Sequence, residues 1–121
     1  MNKKNKRSFG TDGENIASNF LSKNNYKIIK RNFRAGKIGE IDIIAQEDEF
    51  LCFIEVKTRR NSLFGSPSEA VDKRKQANII RLANIYISIY KIKNMNIRFD
   101  IIEIFFLSDD EYKINLIKNA F

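Results

Sequence analysis

The chain has 121 residues, and 22 Lys and Arg against 15 Asp and Glu give a net charge of +7, a balance that favours polyanionic partners. There is no histidine and a single cysteine, Cys52, which excludes the usual general base, Ser-His-Asp and Cys-His chemistry, His-containing zinc sites, disulfide frameworks and CxxC motifs. No stretch approaches the ~18 apolar residues of a membrane span and the start lacks a secretory hydrophobic region, so a cytoplasmic protein without a membrane partner is expected.

Residues 1–10 read as a basic, mobile lead-in, and residues 11–121 as one domain. From about Gly13 to Lys23, Ile16, Ala17, Phe20 and Leu21 form a helical stripe, with Thr11 as the expected N-cap. Tyr26 to Arg34 reads as a strand. After a turn at Ala35-Gly36-Lys37, strands follow at about Glu40 to Gln46 and Phe50 to Lys57, joined by a short acidic turn at Asp48-Glu49. Thr58 to Gly65 reads as a loop. Ser66-Pro67-Ser68-Glu69 has the composition of a helix start, and Gln76, Ile79, Ile80, Ala83, Tyr86, Ile87 and Tyr90 give that helix a stripe to about Tyr90. Ile97 to Leu107 and Glu111 to Ile117 complete the chain as strands. The order α-β-β-β-α-β-β predicts an α/β domain with a mixed five-stranded sheet flanked by helices.

Gly39-Glu40-Ile41-Asp42-Ile43-Ile44 and Phe53-Ile54-Glu55-Val56-Lys57 carry the sharpest chemical signal. With Asp48-Glu49 as a two-residue hairpin loop, paired positions sum to 97. Asp42 then opposes Glu55, and Glu40 opposes Lys57. Alternation places these four on one face and Ile41, Ile43, Cys52, Ile54 and Val56 on the other. Opposed carboxylates beside apolar neighbours repel and need a positive charge between them. Lys57 supplies part of it. A divalent cation would supply more: Mg²⁺ or Mn²⁺ accepts one or two carboxylates, here Asp42 and Glu55, with a backbone carbonyl, here that of Val56, and waters. Ordinary cross-strand ion pairing on a solvated face is the competing explanation, but these charges interrupt two of the most apolar strands in the chain.

Gly13-Glu14, Arg31-Asn32-Phe33-Arg34, Gly39-Glu40-Ile41-Asp42, Glu55-Val56-Lys57-Thr58-Arg59, Lys73-Arg74-Lys75-Gln76, Arg98-Phe99-Asp100 and Asn119-Ala120-Phe121 together resemble the YraN-like family. That family belongs to the restriction-endonuclease-like PD-(D/E)xK superfamily, related in fold to archaeal Holliday-junction resolvases. The resemblance implies a restriction-endonuclease-like fold and a metal-dependent nuclease core, with Asp42 and Glu55 as metal ligands and Lys57 as the catalytic lysine. It also matches Glu14 to the acidic residue that the superfamily often carries on its first helix. Ile41-Asp42 stands where the superfamily has Pro-Asp, a departure that leaves the ligand intact.

Around this core the roles stay open. Glu14 either joins the site or completes a capping box with Thr11. Gln76 either holds a phosphate or water near the lysine or is a boundary polar residue. Glu40 is expected as the ion-pair partner of Lys57. Arg59, Arg60, Lys73, Arg74 and Lys75 are expected to contact phosphates, with the solvated face of a helix as the alternative for Lys73 to Lys75. The leading expectation is an Mg²⁺- or Mn²⁺-dependent endonuclease on DNA or structured nucleic acid; a homodimer is the form that would cut two strands symmetrically. A non-catalytic nucleic-acid-binding module on the same fold and an interaction protein with an acidic partner are the alternatives.

Overall fold

The computed structural model describes residues 6–60 and 72–121. Its elements are α1 (Lys6–Lys23), β1 (Lys27–Arg34), β2 (Glu40–Glu47), β3 (Phe50–Arg59), α2 (Lys73–Ile89), β4 (Asn96–Phe106) and β5 (Tyr112–Ile117). The strands stand side by side in chain order, antiparallel except for the parallel pair β3–β4. A parallel pair cannot be joined by a tight turn, and α2 lies in the crossover between them. This is the mixed five-stranded α/β arrangement predicted above, and it is consistent with a restriction-endonuclease-like fold. Among the described residues, no helix is long and apolar enough to cross a membrane.

Each face of the sheet is covered by one helix. Ala17 and Leu21 of α1 pack with Ile43, Ala45, Cys52, Ile54, Ile102, Ile104 and Phe106. Ile79, Leu82, Ala83 and Tyr86 of α2 pack with Phe33, Ile41, Ile44, Leu51 and Phe53 on the opposite face. The two clusters are the two hydrophobic layers that a sheet buried on both faces requires.

Several local expectations change. Helix α1 begins at Lys6, so part of the expected lead-in is helical and Thr11 is an interior position rather than an N-cap. Gly13 explains how this helix sits: an added Cβ there would collide with Thr58 Cγ2, so only glycine lets α1 lie this close to β3. Strand β3 continues through Thr58 and Arg59, which had read as loop. The helix start expected at Ser66 lies outside the described residues; α2 itself begins at Lys73, capped by Asp72, whose side chain accepts the Lys75 N–H at 2.8 Å. Its buried stripe contains Leu82, whereas Ile80 and Tyr90 are exposed.

From Glu47↔Phe50 to Ile43↔Ile54 the β2–β3 register is the predicted one, with Asp48 at φ 52 in the turn, but the pairing stops there, one step short of the expected Asp42↔Glu55 pair. The predicted alternation fails at Asp42, because Ile43 faces α1 while Ile41 faces α2. Here the Asp42 carboxylate, rather than a backbone carbonyl, accepts the Val56 N–H at 2.8 Å, and Asn32, between the paired Arg31 and Phe33 of β1, takes a left-handed φ of 55. The strand therefore turns over at the residue singled out for chemistry.

Candidate active site

The start of β2, the distal half of β3, the first turn of α2 and the middle of α1 converge around Glu55. This carboxylate is only 5% exposed. Its Oε1 lies 2.8 Å from Lys75 Nζ and 3.7 Å from Lys57 Nζ, while its Oε2 is buried without a hydrogen-bond partner. An unpaired buried oxygen on a charged group is costly unless a ligand meets it.

Asp42 and Glu55 line two adjoining cavities. The smaller, about 300 Å³, is also lined by Glu14, Val56, Lys57, Thr58, Arg59 and Lys75. The larger, about 410 Å³, extends between Ile38, Gly39 and Glu40 on one side and Arg74, Asn78, Ile79 and Leu82 of α2 on the other. Burial and the nearby Glu55 charge drive the Asp42 carboxyl up to about 8, against the opposing pull of the Val56 N–H; Glu14 and Glu40 add smaller upward pushes. Burial lowers Lys57, and contact with the Lys75 ammonium lowers it further, although Glu55 opposes the shift. Burial also disfavours the charged form of Lys75, but its hydrogen bond to Glu55 and the Glu55 charge outweigh that and raise it.

The structure brings Asp42, Glu55, Val56, Lys57 and Glu14 together around the smaller cavity. Glu14 lies well inside α1, which removes the capping-box explanation; its carboxylate accepts from Asn32 Nδ2 at 2.8 Å and lies 3.7 Å from Arg31. Glu40 pairs with Arg34 at 3.5 Å rather than with Lys57, because the turnover at Asp42 ends the ladder before that pair. Gln76 is half-buried on α2 but lines neither cavity. Among the basic residues, Arg59, Arg74 and Lys75 reach the cavities. Arg60 instead lies 3.7 Å from Asp109, and Lys73 is exposed away from them.

Two features escaped the sequence reading. Lys75 was expected at most on a phosphate, yet it is the nearest cation to Glu55. The signal was present: Lys75 stands four residues before Ile79 and seven before Leu82, on the buried stripe of α2. Glu103 is also buried, paired in register with Lys57; its Oε1 accepts from Asn115 Nδ2 at 2.8 Å, and its Oε2 has no partner. No spacing rule isolates a buried acid within an apolar strand. Arg98 and Asp100 form a separate buried network. Arg98 donates to both Asp100 oxygens at 2.9 Å, and to Glu47 and the Tyr26 hydroxyl at 2.8 Å.

The donor set fits a hard divalent cation of the Mg²⁺ type. Among the described residues, no three His, Cys, Asp or Glu side chains form a group able to hold a metal alone. Mg²⁺ needs no such cage: one or two carboxylates suffice when water and phosphate oxygens complete its shell. The unpartnered Oε2 of Glu55, beside Asp42, meets that requirement.

Comparison with known proteins adds a family. The model of "Uncharacterised protein family UPF0102" matches residues 13–104. A UPF0102 protein of Acetivibrio thermocellus is 49% identical over 124 residues, covering 99% of this chain and 95% of the relative. UPF0102 proteins of Caldicellulosiruptor saccharolyticus and Caldanaerobacter subterraneus subsp. tengcongensis are each 48% identical, covering 97% and 100% of this chain and 99% and 100% of their own lengths.

Proposed function

The chain belongs to the UPF0102 family, and we propose that the cleft holding Asp42 and Glu55 is the active site of an Mg²⁺- or Mn²⁺-dependent nuclease of the PD-(D/E)xK type, hydrolysing phosphodiester bonds in DNA or structured nucleic acid. The observation that carries this reading is the buried Glu55 carboxylate, with one oxygen on two ammonium groups and the other unpartnered, beside Asp42 in an open cavity.

Asp42 and Glu55 would hold the cation. When bound, it supplies Lewis acidity toward a phosphoryl oxygen and lowers the pKa of an attacking water. Asp42 is oriented for that work by the Val56 N–H, which fixes its carboxylate on the cleft side of β3. Lys57, shifted down by burial and by Lys75, can orient the water and exchange a proton with it more readily than an ordinary lysine. Arg59 and Arg74, at the cavity walls, provide guanidinium groups for flanking phosphates, contacts that position a strand without reading its bases.

The raised Asp42 and the Lys75–Glu55 contact also suit a non-catalytic nucleic-acid-binding module, since together they leave the cation-free cleft nearly neutral. A cleavage assay on linear, single-stranded and four-way-junction DNA in EDTA, Mg²⁺ and Mn²⁺ separates the readings. The nuclease reading expects cation-dependent cutting that falls at least about 100-fold in Lys57→Ala and disappears in Asp42→Asn. DNA binding by a parent that never cuts would select the module. Cutting that survives both substitutions would reject the site.

A further inference from the structure

We propose that Lys75 is an exchangeable counterion: it neutralises Glu55 while the cleft lacks a cation, yields that place when a divalent cation enters, and then engages a phosphate of the nucleic acid. The inference rests on the reading of Asp42 and Glu55 as cation ligands.

A carboxylate as buried as Glu55 needs a positive partner, and two ammonium groups are within reach. They are not equivalent. Lys75 Nζ is at 2.8 Å with a side chain 41% exposed, whereas Lys57 Nζ is at 3.7 Å with a side chain 16% exposed. The tighter partner is thus the one with open space to move into. Lys75 also has a fixed base, because its backbone N–H is tied to the Asp72 cap, so the ammonium can swing on its four-carbon stem without disturbing α2.

A dication bound by Asp42 and Glu55 would meet a positive charge already on Glu55 Oε1. Like charges a few ångströms apart in a partly desolvated cleft repel strongly, and the mobile one gives way. Lys75 lines both cavities, with Arg59 in one and Arg74 in the other. A displaced ammonium therefore remains among the guanidinium groups, where a polyanion would pass. The cleft is kept near neutrality when empty, and cation entry releases one positive charge toward the substrate.

The test is Mn²⁺ binding by titration calorimetry on the full chain without nucleic acid, comparing the parent with Lys75→Met, Lys75→Gln and Asp42→Asn. Loss of the competing ammonium should tighten Mn²⁺ binding about twofold to fivefold in both Lys75 variants, the scale of one half-exposed ion pair. Asp42→Asn should bind no Mn²⁺. A second readout is the salt dependence of binding to a short labelled duplex DNA. In Ca²⁺, Lys75→Met should lower the slope by about 0.9, one phosphate contact; in EDTA the slope should not change. A lysine that merely supported the fold would move neither quantity this way. If Lys75→Met loses cooperative unfolding, Lys75→Gln decides. Mn²⁺ binding no tighter than in the parent overturns the exchange and leaves the cation site standing. A parent that binds no Mn²⁺ overturns both.

Discussion

Asp42→Asn should make the protein more stable in alkaline buffer, in a pH-dependent way that follows from the cleft. Asparagine keeps an oxygen that can accept the Val56 N–H but cannot ionise. In the parent, the native carboxyl holds its proton up to about 8, whereas an ordinary aspartate releases it near 3.8. Between those values the unfolded chain binds fewer protons than the native one. The stability contributed by this group is therefore complete below the ordinary acid range and is lost as pH rises toward 8. At about 1.4 kcal/mol per tenfold change, the loss is at most about 6 kcal/mol. Water entry and relaxation around the ionised carboxylate reduce it to about 2–3 kcal/mol. Urea unfolding in EDTA should show Asp42→Asn and the parent converging near pH 4 and separating by that amount at pH 8–9. Other carboxylates are common to both proteins and largely cancel. Excess Mg²⁺ should narrow the gap at high pH, because only the parent presents two ionised ligands. A gap that is constant, or that closes as pH rises, would refute the reasoning.

Gly13→Ala should destabilise the protein by about 1–3 kcal/mol through overpacking against Thr58, and adding Thr58→Ser should recover much of the loss; equal urea midpoints for Gly13→Ala and the parent would contradict the close approach. Arg98→Met strands Asp100, which is 0% exposed, and should cost about 3–5 kcal/mol in thermal or urea unfolding. A variant as stable as the parent would show that Asn119 and Tyr26 satisfy Asp100 alone. Burial in the core pushes the Cys52 thiol up to about 12, so a disulfide reagent at pH 8 should label it only after denaturation. Labelling of the native protein at the rate of a free thiol would disprove that burial.

The strands were legible because their period, branched residues and turn chemistry agree. The Asp48-Glu49 turn alone set the β2–β3 register, since one residue more would have moved every side chain to the other face. The acid pair was legible because its two carboxylates interrupt otherwise apolar strands, although the ladder ends one step before them. What escaped depends on contacts distant in sequence. The early start of α1 runs through Gly10 and Gly13, poor helix formers, and Gly13 is explained only by Thr58 across the interface. The turnover at Asp42 comes from a side chain replacing a ladder bond, which alternation cannot express. Ile80 and Leu82 were interchanged because both lie near the edge of one helical stripe, and the angle at which α2 crosses the sheet decides between them. The Lys75–Glu55 contact escaped because a lysine beside Lys73 and Arg74 reads as a phosphate contact or a solvated face, although its spacing to Ile79 places it inward.

The order of the strands bears on how the cleft assembles. Strands β2 and β3 close through a tight turn, while β4 joins β3 only after the chain returns to bring Asn96 N–H to the Glu49 carbonyl at 3.0 Å. Closing a short loop costs less entropy than closing a long one, so the hairpin should form first. Asp42 and Glu55 would then be pressed together before the crossover delivers Lys75, and the nascent hairpin would carry their repulsion unrelieved. Refolding should accordingly be fastest where Asp42 keeps its proton, and pulse-labelled amides of β2 and β3 should gain protection ahead of those in β4; simultaneous protection would show that acids and ammonium arrive as one unit.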